Sequence, residues 1–318
     1  NNGVCNVCRE YERKFGNYNP KESRNRLMEK IEMIARGNKS VVVTCSGGID
    51  SSYVMYLCRR EFKLNVIGAN FDNGFVTDTA KMNLDNLSKA LDVPIVKIKP
   101  DFGVLYRLYR DFLLRTGDFC TPCCQGCCRA GFIVARQNNI DTIIHGGVSG
   151  SIVEFNVLGM LRHHYERFMH IAGNEYDKTE LETIATPTEE IAEFTLLSLP
   201  QYIDWDENDI IEILSREMGW NTLPDGRSRH MDCAVAEASD YLLQKKFGFS
   251  KKWMLISAYI RAGKIDNQKG RELIKMQEES LMDEPKEAME TLLLCTGLDR
   301  KSLYRLPFYD TEPAWKYL

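Results

Sequence analysis

The tightest constraint in this chain is the stretch Val41-Val-Val-Thr-Cys-Ser-Gly-Gly-Ile-Asp50-Ser-Ser. Val41 to Val43 form a β-branched apolar run, the composition of a strand covered on both faces. Ser46, Gly47 and Gly48 follow at once, and two glycines let the backbone turn sharply and come close to a ligand. A helix is expected from Ser51, with Val54, Leu57, Cys58 and Phe62 on one face. Backbone N–H groups at such a helix start point into the turn, an arrangement that suits phosphate. The pattern Gly-x-x-x-x-Gly-Lys-Ser/Thr is absent and no lysine sits in the turn, so this is not the common phosphate loop.

Strand–turn–helix units recur downstream. Strands are expected at Asn65–Phe71, Pro94–Ile98 and Thr142–His145, alternating with helices at Thr79–Leu91, Val104–Arg115 and Arg129–Asn138. Such alternation predicts an α/β fold with a doubly wound parallel sheet. The second strand ends in Asn70-Phe-Asp72, the fourth in Gly146-Gly147. Groups at the carboxyl ends of strands face the crevice where open α/β sheets bind ligands. Amphipathic helices are expected at residues 21–37 and at Glu207–Met218. From Ala234 the chain reads as helical to about Thr296, with breaks near Gly248 and Gly263. The Pro- and aromatic-rich tail, Leu306–Leu318, is expected to dock as an irregular arm. Residues 148–190 lose the alternation. Their histidines, His163, His164 and His170, stand among Arg162, Glu166 and Arg167, the setting of an exposed helix face. A substrate lid is the functional alternative.

The net charge of −4 argues against a polynucleotide grip, which calls for a basic footprint. A small-molecule substrate is expected instead. No apolar run reaches the roughly 18 residues of a membrane span, and no signal-peptide pattern opens the chain. A cytoplasmic location follows as the expectation. The eleven cysteines then read as thiols, metal ligands or redox groups rather than a disulfide scaffold. Cys5 and Cys8 form half of a four-ligand zinc site, and the other half could lie before Asn1. Cys120, Cys123, Cys124, Cys127 and Cys128 fall within nine positions, beside Pro122 and Gly126. One or two could be small core residues, but the density points to metal ligands or nucleophiles. Cys233 closes the polar stretch Asp225-Gly-Arg-Ser-Arg-His-Met-Asp-Cys233. Arg227, Arg229 and His230 there are candidates for contact with anionic substrate groups, and Cys233 is a candidate distant ligand.

Ser46-Gly-Gly-Ile-Asp-Ser51 resembles the signature of the PP-loop ATP pyrophosphatases. Further blocks extend the likeness to their N-acetyl sugar amidotransferase branch: Gly3-Val-Cys-Asn-Val-Cys8, Gly117-Asp-Phe-Cys-Thr-Pro-Cys123, Tyr202-Ile-Asp-Trp-Asp206, Arg229-His-Met-Asp-Cys233 and Lys246-Phe-Gly-Phe-Ser250. The resemblance implies a nucleotide-binding α/β domain at residues 39–235. It would lie between an N-terminal Cys-x-x-Cys knuckle with its helix (1–38) and a helical C-terminal region (236–318). It also implies ATP and Mg²⁺, with AMP transferred to an amide or carbonyl oxygen and pyrophosphate released. Ser46, Gly47, Gly48, Ser51 and Ser52 would cradle phosphate oxygens and Asp50 would help to hold Mg²⁺. Cys45, Gly146 and Gly147 would border the nucleotide, with Asn70 or Asp72 reaching its ribose or adenine. The implied acceptor is a nucleotide-linked N-acetyl sugar for surface glycans, and a separate glutaminase subunit would supply ammonia. The cysteine density departs from that branch and is similar to the iron–sulfur-dependent thiolases of the same superfamily. There Cys120, Cys123 and Cys233 would match a three-cysteine set for a [4Fe–4S] cluster, with zinc as the alternative. Cys124 and Cys127 repeat the Cys-x-x-Cys spacing, so the register stays open. Asp50, Cys120 and Cys123 are the catalytic candidates, and a non-catalytic nucleotide sensor is a third reading.

Overall fold

The computed structural model describes residues 4–16, 19–37, 39–147, 157–226 and 230–304. Five parallel strands form one sheet: β1 (Ser40–Thr44), β2 (Asn65–Phe71), β3 (Ile95–Ile98), β4 (Thr142–His145) and β5 (Thr195–Ser198). Their order is β3-β2-β1-β4-β5. Val42 faces Ile67 of β2 on one side and Ile143 of β4 on the other. The chain runs outward from β1 to β3, then returns to pair β4 on the opposite side. The reversal between β1 and β4 opens the crevice in which doubly wound sheets take ligands.

Helices cover both faces. The first are α1 (Asn6–Phe15), α2 (Pro20–Arg36), α3 (Ile49–Tyr56), α4 (Asp78–Leu91), α5 (Phe102–Thr116) and α6 (Cys120–Gln137). Next come α7 (Val157–Ala172), two short turns α8 (Lys178–Leu181) and α9 (Thr188–Ile191), and α10 (Glu207–Met218). One core joins α2, α3, α4 and α10 to the sheet through Leu27, Val54, Leu84 and Leu214. The other joins α5, α6 and α7 to the opposite face through Leu108, Phe112, Ala130 and Phe168. The C-terminal region is helical: α11 (Ala236–Phe247), α12 (Lys251–Arg261), α13 (Asn267–Ser280), α14 (Lys286–Thr296) and α15 (Arg300–Tyr304). It docks through α14, which packs on α5 and α11. Among the described residues no helix is long and apolar enough to cross a membrane.

Local physics explains where elements begin. Asn19 accepts the N–H groups of Lys21 and Glu22 and Pro20 opens α2, so that helix starts one residue before the expected position. Asp101 and Thr77 cap α5 and α4 in the same way. The helix after the glycine turn starts at Ile49, not Ser51, because Gly48 is already extended and acts as its N-cap. After Tyr56 it widens into a π-helical turn, Leu57–Glu61, which buries Leu57 and Cys58 while Phe62 is half-buried.

One expectation needs correcting. The cysteine run does not precede a helix at Arg129. It is the first half of α6, which starts at Cys120. Pro122 lies in the first turn, where its missing N–H breaks no helical bond. Gly126 is where α6 crosses β2: a Cβ there would stand 2.2 Å from Cζ of Phe71. Strand β5 and helix α1 are not among the elements expected from sequence, which reads residues 5–8 only as a cysteine knuckle. The histidine stretch is helical, in α7, and His170 is exposed as expected. The side chains of His163 and His164, and the tail 306–318, lie outside the described residues.

Candidate active site

A cavity of about 1050 Å³ opens at the carboxyl edge of the sheet, over the β1–β4 crevice. Cys45, Ser46, Gly48, Asp50, Ser51, Asn70, Gly146 and Gly147 line it, together with residues of α11 to α13. The sequence-derived phosphate turn therefore meets the expected partner turn after β4. Their approach is close: a Cβ on Gly146 would lie 2.9 Å from the Asp50 backbone carbon.

The turn is held from several directions. Ser51 Oγ accepts the Ser46 N–H at 3.1 Å and donates to the Gly48 carbonyl at 3.2 Å, while Ser46 Oγ accepts the Gly48 N–H. Gly47 has φ +87° and packs on α4 so tightly that a Cβ would come within 2.4 Å of the Ala80 carbonyl oxygen. Its own carbonyl accepts from Trp220 Nε1 at 3.0 Å and from Asn83 Nδ2 at 3.3 Å. Asn70 donates to the Cys45 carbonyl at 2.7 Å, which ties the ends of β1 and β2 together. Ser52 is buried behind the turn and its Oγ has no partner. Burial holds the Cys45 thiol un-ionised, with its pKa raised to about 12.

Two carboxylates reach this turn. Asp50 sits in the first turn of α3, where the helix dipole favours negative charge, and its Oδ1 accepts from Trp205 Nε1 at 2.8 Å. Asp232 arrives from the far end of the chain. Thr77 Oγ1 donates to the Met231 carbonyl at 2.7 Å, Ala234 N–H donates to the Phe75 carbonyl at 2.8 Å, and Cys233 bridges Val76. These bonds lay residues 231–234 along the segment after β2. They set the Asp232 carboxylate where a Cβ on Gly48 would stand 3.3 Å from Oδ2. Neither Asp232 nor Trp205 was marked by sequence reasoning, although both lie in blocks that carried the family resemblance. A residue's path back to a site 180 positions upstream leaves no local pattern.

The residues fit the groups the fold implies. The glycine turn leaves room at backbone level for phosphate, and Asp50 with Asp232 offers the hard oxygen donors that suit Mg²⁺. A divalent cation held there would supply charge neutralisation for a departing pyrophosphate. Asp72 is not among the cavity-lining residues; its Oδ1 accepts the Gly74 N–H at 3.1 Å. His230 lines the cavity, whereas Arg227 and Arg229 lie outside the described residues.

The cysteines of α6 lie beside this cavity. Cys127 lines the cavity, and Cys123 accepts from Asn73 Nδ2 at 3.4 Å. A hydrogen bond from Cys127 lowers the Cys123 pKa, against its burial, and correspondingly keeps the proton on Cys127. Lys251 Nζ stands 2.9 Å from Cys120 Sγ and 3.0 Å from Ser239 Oγ. Burial pushes the Cys120 thiol up, and the lysine offsets this only in part. Burial also opposes the charge on Lys251, but Cys120 and Asp118 outweigh it and keep the ammonium protonated. Burial likewise raises the Cys233 thiol, while Cys124 is exposed. Cys5 is exposed and caps α1, accepting the Cys8 N–H at 3.4 Å. Among the described residues, no three His, Cys, Asp or Glu side chains gather into a set that could hold a metal ion. Of the α6 sulfurs, Cys120 is engaged with Lys251 and Ser239, and Cys123 with Asn73 and Cys127.

No curated protein matches the chain. The family model of NAD synthase matches residues 21–115, from α2 through β1 to α5, which include the phosphate turn. Residues 21–115 are thus similar to NAD synthase, a PP-loop enzyme family whose general chemistry is ATP-dependent adenylation.

Proposed function

We propose that the chain transfers AMP from ATP to the oxygen of an amide or carbonyl acceptor, releases pyrophosphate, and then replaces that oxygen with ammonia. The observation that carries this reading is the convergence of Asp50 and Asp232 on the Gly47-Gly48 turn at the β1–β4 crevice. An amide oxygen is a poor leaving group, and esterification by AMP makes it a good one. In the first step the acceptor oxygen attacks the α-phosphorus and pyrophosphate departs. The turn and the N-terminus of α3 would hold the phosphates in line, and positioning with charge stabilisation is most of what such a step needs. In the second step ammonia attacks the activated carbon and AMP leaves. The motif blocks named above favour an N-acetyl sugar as acceptor and a separate glutaminase subunit as the ammonia source. ATP use agrees with the cytoplasmic location expected from sequence.

The cavity position of Cys127, next to Cys123, favours a second reading in which a sulfur donor replaces ammonia in the second step. Mass spectrometry of the product separates the two, since the oxygen is exchanged for NH in one case and for S in the other.

The test of the shared step is pyrophosphate release by wild type and Asp50→Asn with ATP, Mg²⁺, ammonium and candidate amides. A folded Asp50→Asn chain should lose activity by about a hundredfold or more, the scale of removing one preorganised charge-stabilising group. Wild-type release from that variant would overturn the assignment.

A further inference from the structure

The segment between β5 and α10 carries a donor to Asp50. Trp205 is buried there, and its Nε1 donates to Asp50 Oδ1 at 2.8 Å. Tyr53 of α3 stands edge-on to the indole, with ring centroids 5.1 Å apart. The Trp205 backbone, from which that indole projects, is held on both sides. Asp204 Oδ1 accepts the Trp205 N–H at 2.9 Å. Lys264 Nζ donates to the Trp205 carbonyl at 3.1 Å and to the same Asp204 Oδ1 at 3.1 Å. The bond from Lys264 lowers the Asp204 pKa, which keeps that carboxylate ionised. One ammonium group thus closes a clamp around Trp205.

Lys264 comes from the turn between α12 and α13, and a local rule puts it there. After α12 the chain passes through Ala262 to Gly263, which has φ +69°. The Gly263 N–H donates to the Ile260 carbonyl at 3.1 Å and the Lys264 N–H to the Tyr259 carbonyl at 2.9 Å. These two bonds form a Schellman motif, with glycine at its left-handed position. Helix α12 packs on α13, with Ile256 and Ile260 against Gly270. Leu255, Ile256 and Tyr259 of α12 and Leu273 of α13 line the cavity. The hairpin that borders the cavity is therefore tied, through the side chain at its tip, to the residue that holds Asp50.

We propose that Lys264 is a positioning residue for pyrophosphate release: it fixes Trp205, and through Trp205 the Asp50 carboxylate. The inference rests on the adenylation reading, and it adds the α12–α13 hairpin to the parts that order the phosphate turn. A carboxylate that assists a departing pyrophosphate must keep one orientation, and a donor locked by its own neighbours supplies that order before the nucleotide arrives. Without Lys264 the indole still fills its place beside Tyr53, but its backbone loses one of its two holds.

The experiment combines a spectroscopic and a kinetic reading on Lys264→Met, which keeps much of the apolar stem, and Lys264→Arg, which keeps the charge. A partly exposed ion pair adds little to global stability, so both variants should melt within about 3 °C of wild type. The chain has four tryptophans, and the indole N–H signal of Trp205 is the one missing from the nitrogen–proton spectrum of Trp205→Phe. That signal should shift or broaden in Lys264→Met and return towards its wild-type position in Lys264→Arg. With ATP, Mg²⁺, ammonium and N-acetylglucosamine as the amide probe, Lys264→Met should lower kcat for pyrophosphate release about three- to tenfold, with KM for ATP changed less. Lys264→Arg should recover most of the loss. In a Trp205→Phe background, Lys264→Met should cost less than about twofold more, because the donor it positions is already gone. An unmoved Trp205 signal in Lys264→Met would overturn the proposal. So would a kcat loss as large in the Trp205→Phe background as in wild type. Absence of pyrophosphate release from the wild-type chain would instead count against the adenylation reading, while the indole signal still decides whether Lys264 holds Trp205.

Discussion

Adjacent glycines in the phosphate turn should respond to alanine in opposite ways. Gly47 has φ +87°, a region that costs an L residue roughly 1–2 kcal/mol. Its new Cβ would also sit 2.4 Å from the carbonyl oxygen of Ala80 in the first turn of α4, a backbone atom that cannot rotate away. Forcing atoms into a packed interior adds about 1–3 kcal/mol. If the turn shifts, the bonds from Trp220 and Asn83 to the Gly47 carbonyl weaken as well, at roughly 1 kcal/mol each. Gly47→Ala should therefore destabilise the protein by about 2–5 kcal/mol, which corresponds to a fall in Tm on the order of 5–15 °C. Gly48 has φ −74°, which any residue adopts, and its nearest obstacle is the end of the Asp232 side chain at 3.3 Å. Gly48→Ala should melt within about 2 °C of wild type, because a surface side chain can yield. It should still lose most pyrophosphate release, since the methyl group would stand between a carboxylate and the turn. Paired thermal melts by circular dichroism, with pyrophosphate release on the same samples, read both effects. A Gly47→Ala chain as stable as wild type, or a Gly48→Ala chain as unstable as Gly47→Ala, would refute the geometry.

Two further outcomes concern residues next to those that line the cavity. His145 at the end of β4 accepts the Gly147 N–H at Nδ1, its Nε2 is enclosed without a partner, and burial lowers its pKa to about 4. The folded pKa lies below the unfolded value, so its contribution is complete above about pH 6.5 and is lost as pH falls towards 4. The loss reaches at most about 3 kcal/mol, and urea melts should show it in wild type but much less in His145→Gln. Trp205→Phe removes the 2.8 Å donor to Asp50 but keeps the ring; it should lower kcat about three- to tenfold with KM for ATP changed less, and equal falls in kcat and KM would contradict a positioning role.

What could be read from sequence followed from how locally each feature is encoded. Strand β2 and β4 and helix α10 were legible to the residue, because periodicity and flanking turns lie within a few positions. The phosphate turn was legible for the same reason. The cysteine run falls outside the helix expected from Arg129 because Pro122 and Gly126 look like breakers. Their tolerance depends on facts that sequence does not carry: the position of Pro122 in a first turn, and the ring of Phe71 against Gly126. Asp232, Trp205, Trp220 and Lys251 reach the site across more than a hundred residues, so their roles depend on packing, not on neighbours in the chain.

Four tryptophans are spread through 318 residues, and two of them, Trp205 and Trp220, donate their indole N–H to the first turn of α3 and to the Gly47 carbonyl. Indole emission responds to the electric field along the ring, and a phosphate arriving at the turn is a large local change of field. The protein thus carries an optical reporter wired to its phosphate turn. Nucleotide occupancy can be followed in the native chain by ultraviolet fluorescence, without a label and without turnover.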